Sequence, residues 1–67
     1  MKYFYIAAIY KKGEKFYAAL MTVAETTNLC YALSDCHAAN LFHTKKRADE
    51  VVRSWNKGFQ ENGTYLY

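Results

Sequence analysis

Hydrophobic residues recur at steps of three and four between Thr44 and Gly63, and this spacing predicts an amphipathic helix. At about 100° per residue they fall on one side of the helix, the side that would face a core. The stripe consists of Ala48, Val51, Val52, Trp55 and Phe59. Thr44 is a suitable N-cap, and Gly63 suits the C-terminal end, where glycine adopts the left-handed conformation without strain. We expect Trp55 to be the largest buried side chain.

The first part of the chain alternates around tyrosine, phenylalanine and isoleucine, which favour strands. Two such runs, 2–11 and 14–23, are separated by a turn around Gly13, and this arrangement predicts a β-hairpin. A three-residue loop with a left-handed glycine last would place Tyr10 opposite Glu14. A two-residue loop would instead mix the two faces of the hairpin, because a slip of one residue exchanges them.

The three-residue loop separates two kinds of sheet face. One face would carry Phe4, Ile6, Ala8, Phe16, Ala18 and Leu20, and would pack against the helix. The other would be rich in tyrosine and would include Tyr3, Tyr5, Tyr17 and Met21.

The remaining segments predict short strands at 29–33, at 40–43 and at 64–67. The expected fold class is therefore α+β, a small antiparallel sheet in the order β-β-β-(β)-α-β with one helix across one face. A chain of 67 residues forms one domain, and a hydrophobic content of 52% excludes intrinsic disorder. A chain this short buries only about 60% of its unfolded surface, so a binding partner would add stability.

Charge and targeting signals narrow the class of protein only slightly. The net charge of +3 permits an acidic partner without requiring one. The apolar run 3–10 is short, is followed at once by lysines and has no cleavage site, so it does not resemble a signal peptide. No segment is long enough to span a bilayer. We therefore expect a cytoplasmic protein that does not bind membranes.

Four residues of the types that bind zinc lie within a short stretch, namely Cys30, Cys36, His37 and His43. Their spacing differs from that of zinc knuckles and ribbons, and the adjacent Cys36 and His37 cannot easily reach one tetrahedral centre. Cys30 is expected to point into a core as a free thiol. A disulfide across the turn is geometrically possible, but two cysteines do not make a disulfide framework. We expect no metal and no cofactor.

The same residues could be drawn as a thiol nucleophile with a histidine base. A chain of this size has little room for a pocket that buries a substrate, and it contains no glycine-rich phosphate loop, carboxylate pair or nucleophile elbow. The sequence therefore predicts a protein that is not an enzyme.

Basic residues occupy the first turn of the predicted helix, where the helix dipole already creates a positive potential, and two more follow on its water-facing side. The set is Lys45, Lys46, Arg47, Arg53 and Lys57. One interpretation is that they are solvated side chains, partly offset by Asp49 and Glu50. The other is an anion site for a phosphate-bearing ligand, nucleic acid or a partner's carboxylates.

The tyrosine-rich face is the second candidate surface. One helix cannot cover both sides of the predicted sheet, so this face should meet water, a second subunit or a ligand. Tyrosine suits binding surfaces because it combines a large rigid ring with a polar tip. We therefore expect a small binding protein that contacts a protein partner, or a second copy of itself, through this face. Weak nucleic-acid or phosphate binding through the helix is the alternative.

The last third of the chain carries a recognisable pattern. It comprises Leu41-Phe42-His43-Thr44-Lys45-Lys46-Arg47-Ala48-Asp49, Trp55-Asn56, Phe59 and Asn62-Gly63-Thr64-Tyr65. The pattern resembles the ending of small uncharacterised proteins of phages and mobile elements. This resemblance implies a short stand-alone gene product, of a kind that often acts by binding and blocking a larger host protein. It assigns no functional residue.

Overall fold

The computed structural model describes residues 2–66, which form an α+β fold with a three-stranded sheet and two helices. The elements are β1 (Tyr3–Lys12), β2 (Lys15–Ala24), α1 (Leu29–Ala32), β3 (Ala38–Phe42) and α2 (Lys45–Glu61). The predicted fold class, a small antiparallel sheet with a helix packed across one face, is confirmed.

The first strand lies in the middle of the sheet, in the order β2-β1-β3, and is antiparallel to both neighbours. The two outer strands are therefore parallel to each other. Parallel strands cannot be joined by a tight turn, because the chain must return the length of the sheet before the second strand begins. The connection 25–37 makes this return past β1.

The register of the β1–β2 hairpin differs from the predicted one. Lys12 pairs with Lys15 and Tyr10 with Tyr17, so the loop consists of Gly13 and Glu14 alone. Gly13 has φ 63°. Among the described residues only glycines have a positive φ, so Glu14 does not, and this combination matches a type II′ turn. The left-handed glycine is thus confirmed, whereas the three-residue loop is wrong.

This register determines which side chains α2 covers. The core cluster on that side joins Ala7 and Ala18 of the sheet to Val52 of the helix. Packed against it are Ile9, Leu20, Phe42, Val51, Trp55 and Phe59. Phe4 and Ile6 lie on the opposite side, so the predicted grouping of the sheet faces is wrong. Trp55 packs against the core as expected but is only half-buried, and the smaller Val52 is more deeply buried.

The sheet face opposite α2 is covered at its centre. Ile6 and Ala8 belong to that face by register, yet both are 0% exposed. The connection 25–37 starts at one end of β1 and rejoins the sheet at the other, where the His37 amide donates to the Ile9 carbonyl at 2.8 Å. Because α2 occupies the first face, this connection crosses the second. The expectation that one face stays open is therefore wrong.

The segment 29–33, predicted as a strand, forms α1 instead. Asn28 caps it, with its side-chain oxygen accepting from the Tyr31 amide at 3.3 Å. Leu29, Ala32 and Leu33 are half-buried, whereas Tyr31 is 81% exposed. One side of this short helix thus faces the protein and the other faces water.

Two other predicted strands have different outcomes. The segment 40–43 overlaps β3, which confirms a strand immediately before α2. The segment 64–67 contributes only an isolated parallel bridge, between Tyr65 and Phe16, and Tyr67 lies outside the described residues.

Helix α2 begins and ends where the sequence predicts. Thr44 is the N-cap residue in extended conformation, although its hydroxyl makes no capping hydrogen bond. At the other end Gly63 has φ 72° and its amide donates to the Gln60 carbonyl at 3.2 Å. The Thr64 amide donates to the Phe59 carbonyl at 2.9 Å, which completes a Schellman motif.

Candidate binding surfaces

The outer edge of β2 is hydrogen-bonded to other parts of the chain at two consecutive outward-facing residues, Phe16 and Ala18. At Phe16, the amide donates to the Thr64 carbonyl and the carbonyl accepts from the Leu66 amide, both at 2.7 Å. At Ala18, the side chain of Asn56 bonds both the amide, at 2.7 Å, and the carbonyl, at 2.9 Å. The C-terminal segment and α2 together occupy this part of the edge, so a further strand cannot pair there.

The outer edge of β3 differs. The N–H and C=O groups of Ala18 point away from β1. Ile9 is paired with Ala18, so the N–H and C=O groups of Ile9 point away from β2 and toward β3. In an antiparallel pair this alternation turns the N–H and C=O groups of Ala39 and Leu41 away from β1. Within residues 2–66, no strand lies beyond β3 to receive them. This edge contains no proline or lysine, the residues that commonly block strand addition.

Aromatic residues surround a groove beside the C-terminal end of β3. The groove has a volume of about 430 Å³ and is lined by Lys2, Tyr3, Phe4, Tyr5, Glu25 and His43. The rings of Phe4 and His43 meet edge to face, with centroids 5.9 Å apart. Tyr3 is 43% exposed, and Leu41, on the adjacent strand, is 41% exposed. Apolar side chains therefore adjoin the outward-facing backbone groups of the edge.

The predicted tyrosine face is divided by the observed register. Tyr3 and Tyr5 point to the side of α2, beside the groove just described, whereas Tyr17 and Met21 point to the side of the crossing connection. The structure thus brings Tyr3 and Tyr5 together and separates them from the other two. Sequence reasoning missed Phe4, His43 and Leu41, because their proximity depends on how β3 pairs with β1.

A second groove lies at the hairpin end of the sheet. It has a volume of about 510 Å³ and is lined by Tyr10, Lys11, Lys12, Tyr17, Asp35 and Leu66. The Tyr10 and Tyr17 rings are stacked across the two strands, with centroids 5.0 Å apart and planes 21° apart. The ammonium group of Lys11 lies 5.3 Å from the centre of the Phe16 ring. Basic and aromatic side chains thus lie close together around the turn.

Burial raises the pKa of Tyr10 to about 12, with further contributions from its hydrogen bond to Cys36 and from the nearby negative charge of Asp35. The phenol is consequently protonated at neutral pH. The second groove therefore carries no negative charge from this ring.

The basic residues predicted as an anion site are all exposed on α2. Two are engaged in ion pairs along the helix: Arg53 lies 3.2 Å from Asp49, and Arg47 lies 3.7 Å from Glu50. Lys45, Lys46 and Lys57 lie on the same helix, and none of these basic residues lines either of the two grooves described above.

The cysteines and histidines are dispersed in the structure. Cys30 is exposed on α1, so the expectation that it points into a core is wrong, and Cys36 is half-buried beside Tyr10. Both thiols are free. His37 packs near Phe16, at the other end of the sheet from His43. In residues 2–66, no group of three or more potential metal ligands is placed to bind one ion.

Comparisons with protein-family models, with known proteins and with solved structures give no match. No helix within the described part of the chain is both long and apolar enough to cross a bilayer.

Proposed function

We propose that this chain is a non-enzymatic protein-binding module that pairs a strand of its partner with the outer edge of β3. The supporting observation is the contrast between the hairpin end of the β2 edge and the outer edge of β3. Phe16 and Ala18 on β2 are capped by the chain itself, whereas Ala39 and Leu41 on β3 present N–H and C=O groups to the exterior. Such groups are a template for strand addition.

The size of β3 limits what the partner supplies. The strand has five residues, and two of them face outward, so they offer two donors and two acceptors. Each hydrogen bond would contribute about 0.5–1.5 kcal/mol net, which is not enough for stable association by itself. Side-chain contacts must supply the rest.

The aromatic groove supplies those contacts. It lies beside the end of β3 and offers Tyr3 and Tyr5, with Leu41 exposed on the strand. Tyrosine is enriched among residues that dominate binding energy, and apolar burial contributes roughly 25 cal/mol per Å² before the cost of association. A partner strand with a large apolar side chain near its end would use both features.

The test removes one backbone donor from the edge. Leu41→Pro deletes an outward N–H, and proline is tolerated on an edge strand whose N–H faces solvent. Thr22→Pro is the matched control, because Thr22 lies on β2 with the same outward parity as Ala18. Leu41→Ala separates the side-chain contribution from the backbone contribution.

We expect Leu41→Pro to abolish capture of protein partners from nuclease-treated extracts, or self-association measured by sedimentation, whichever the native chain shows. Thr22→Pro should leave that binding intact, and circular dichroism should show that both variants are folded. If Leu41→Pro binds as the native chain does, or if Thr22→Pro loses binding equally, the β3 edge is not the interface.

The basic residues of α2 remain a weaker candidate for a phosphate-bearing ligand. Arg47 and Arg53 are paired with acids of the same helix, and the exposed lysines of α2 line neither of the two grooves described above. The salt dependence of binding distinguishes a phosphate site on α2 from strand pairing at β3. Phosphate binding weakens steeply as the salt concentration rises, whereas pairing at an edge strand responds little.

A further inference from the structure

We propose that the hairpin end of the sheet binds single-stranded nucleic acid, with its phosphates at Lys11 and Lys12 and a base against the Tyr10–Tyr17 pair. Proteins that bind single strands combine basic side chains that follow the backbone with aromatic rings on which bases stack. The second groove holds both elements, since the two lysines and the two stacked tyrosines line the same concavity. This site is separate from the β3 edge and does not depend on the function proposed there.

The hairpin turn is what concentrates the positive charge. The two-residue loop places Lys12 opposite Lys15 and leaves Lys11 next to them on β1. Lys15 donates to the Gly63 carbonyl at 2.5 Å, while Lys11 is held over the Phe16 ring. Lys12 is exposed and lines the groove. Glu14 and Asp35 reduce the local charge but do not cancel it.

The composition of the groove favours a nucleic acid over a phosphorylated peptide. Phosphopeptide sites are built around arginine clusters, whose planar groups bind phosphate in a bidentate manner. The two arginines of the chain both lie on α2, and the groove offers lysines instead. Stacked aromatic rings, by contrast, have a direct use for a ligand that carries planar bases.

The first experiment measures fluorescence anisotropy of a labelled oligo-dT of about ten nucleotides, at about 20 and 200 mM salt. The double variant Lys11→Gln with Lys12→Gln is compared with Lys45→Gln with Lys46→Gln, which removes the same charge from α2. We expect the hairpin variant to bind roughly tenfold or more weakly at low salt and to lower the salt slope by about 1.4. The α2 variant should change affinity by less than about twofold.

A substitution that is expected to strengthen oligonucleotide binding, rather than weaken it, tests the position of the ligand further. Asp35 lines the groove and repels phosphate, so Asp35→Asn should tighten binding of the same oligonucleotide several-fold. Glu25→Gln is the control, because it also removes one negative charge. Glu25 lines the groove at the other end of the sheet, away from the hairpin. Equal tightening by both variants would indicate a general charge effect and overturn the assignment.

Base stacking has its own measurement. Inorganic polyphosphate of matched length carries the charge without bases, so it should compete at least tenfold less well than oligo-dT if the tyrosine pair contributes. Equal competition would overturn the proposal, as would undetectable oligonucleotide binding at low salt or equal weakening by the two lysine variants.

Discussion

The side-chain amide of Asn56 forms two hydrogen bonds with the backbone of Ala18, 38 residues earlier in the chain. Its oxygen accepts from the amide at 2.7 Å and its nitrogen donates to the carbonyl at 2.9 Å. The side chain therefore occupies the position that a neighbouring strand would take. It fixes the height of α2 along β2 and satisfies an edge that would otherwise be open.

Replacement of Asn56 by the similarly sized leucine should destabilise the protein by about 2 kcal/mol, because the amide and carbonyl of Ala18 would lose their partners in a partly buried position. Urea denaturation measures the change. Ser54→Ala, on the exposed side of the same helix, should change stability by less than about 0.5 kcal/mol. Equal effects of the two substitutions would show that the Asn56 bonds add nothing to stability.

Two glycines should respond to alanine with opposite signs. Gly13 has φ 63°, so Gly13→Ala should destabilise by about 1 kcal/mol. Gly58 lies inside α2 and has nothing within 4 Å of the position of an added Cβ, so Gly58→Ala should stabilise by about 0.5–1 kcal/mol. Thermal unfolding of both variants provides the measurement. Stabilisation by Gly13→Ala would contradict the type II′ turn.

Removal of the Trp55 ring should reduce stability by about 3 kcal/mol, the lower end for a large aromatic residue, because the ring is half-buried against the core cluster. Tyr31→Ala is the control, since a side chain 81% exposed should contribute less than about 0.5 kcal/mol. The midpoints of denaturant unfolding measure the loss of stability in each of the two variants. A loss below about 1 kcal/mol for Trp55→Ala would place the ring outside the core.

The phenol of Tyr10 should ionise at a higher pH than the ordinary pKa of a tyrosine side chain. Its pKa is about 12 in the folded protein, above the ordinary value, so the folded state favours the protonated phenol. The resulting stabilisation is present below about pH 10 and is lost as pH rises through the folded pKa. The absorbance of tyrosinate, compared between the native chain and Tyr10→Phe, reports this step. A difference titration centred at the ordinary pKa would contradict the burial of Tyr10.

The sequence predicts α2 well because its signals are redundant. The apolar spacing, the N-cap position at Thr44 and the glycine at Gly63 all specify the same limits. The hairpin has no such redundancy. A three-residue loop ending in Gly13 and a two-residue turn beginning with it both require a left-handed glycine, and only pairing across the strands distinguishes them.

The prediction of the candidate sites depends on the same choice between a three-residue loop and a two-residue turn. The predicted set of Tyr3, Tyr5, Tyr17 and Met21 belongs to one face in the first register and to two faces in the observed one. The run 29–33 was equally ambiguous, because a short apolar segment does not reveal whether it is a strand or a helix. The β3 edge arises from long-range pairing, which no local pattern contains.

The position of β1 at the centre of the sheet has a consequence for folding during synthesis. Because β1 is synthesised before β2 and β3, it acquires its second neighbour only after β3 is made, and its core face is covered only when α2 is complete. An isolated hairpin is at best marginally stable in water. The nascent chain should therefore remain susceptible to proteases and aggregation until Glu61 has left the ribosome, and a stalled chain ending before β3 should be rapidly degraded.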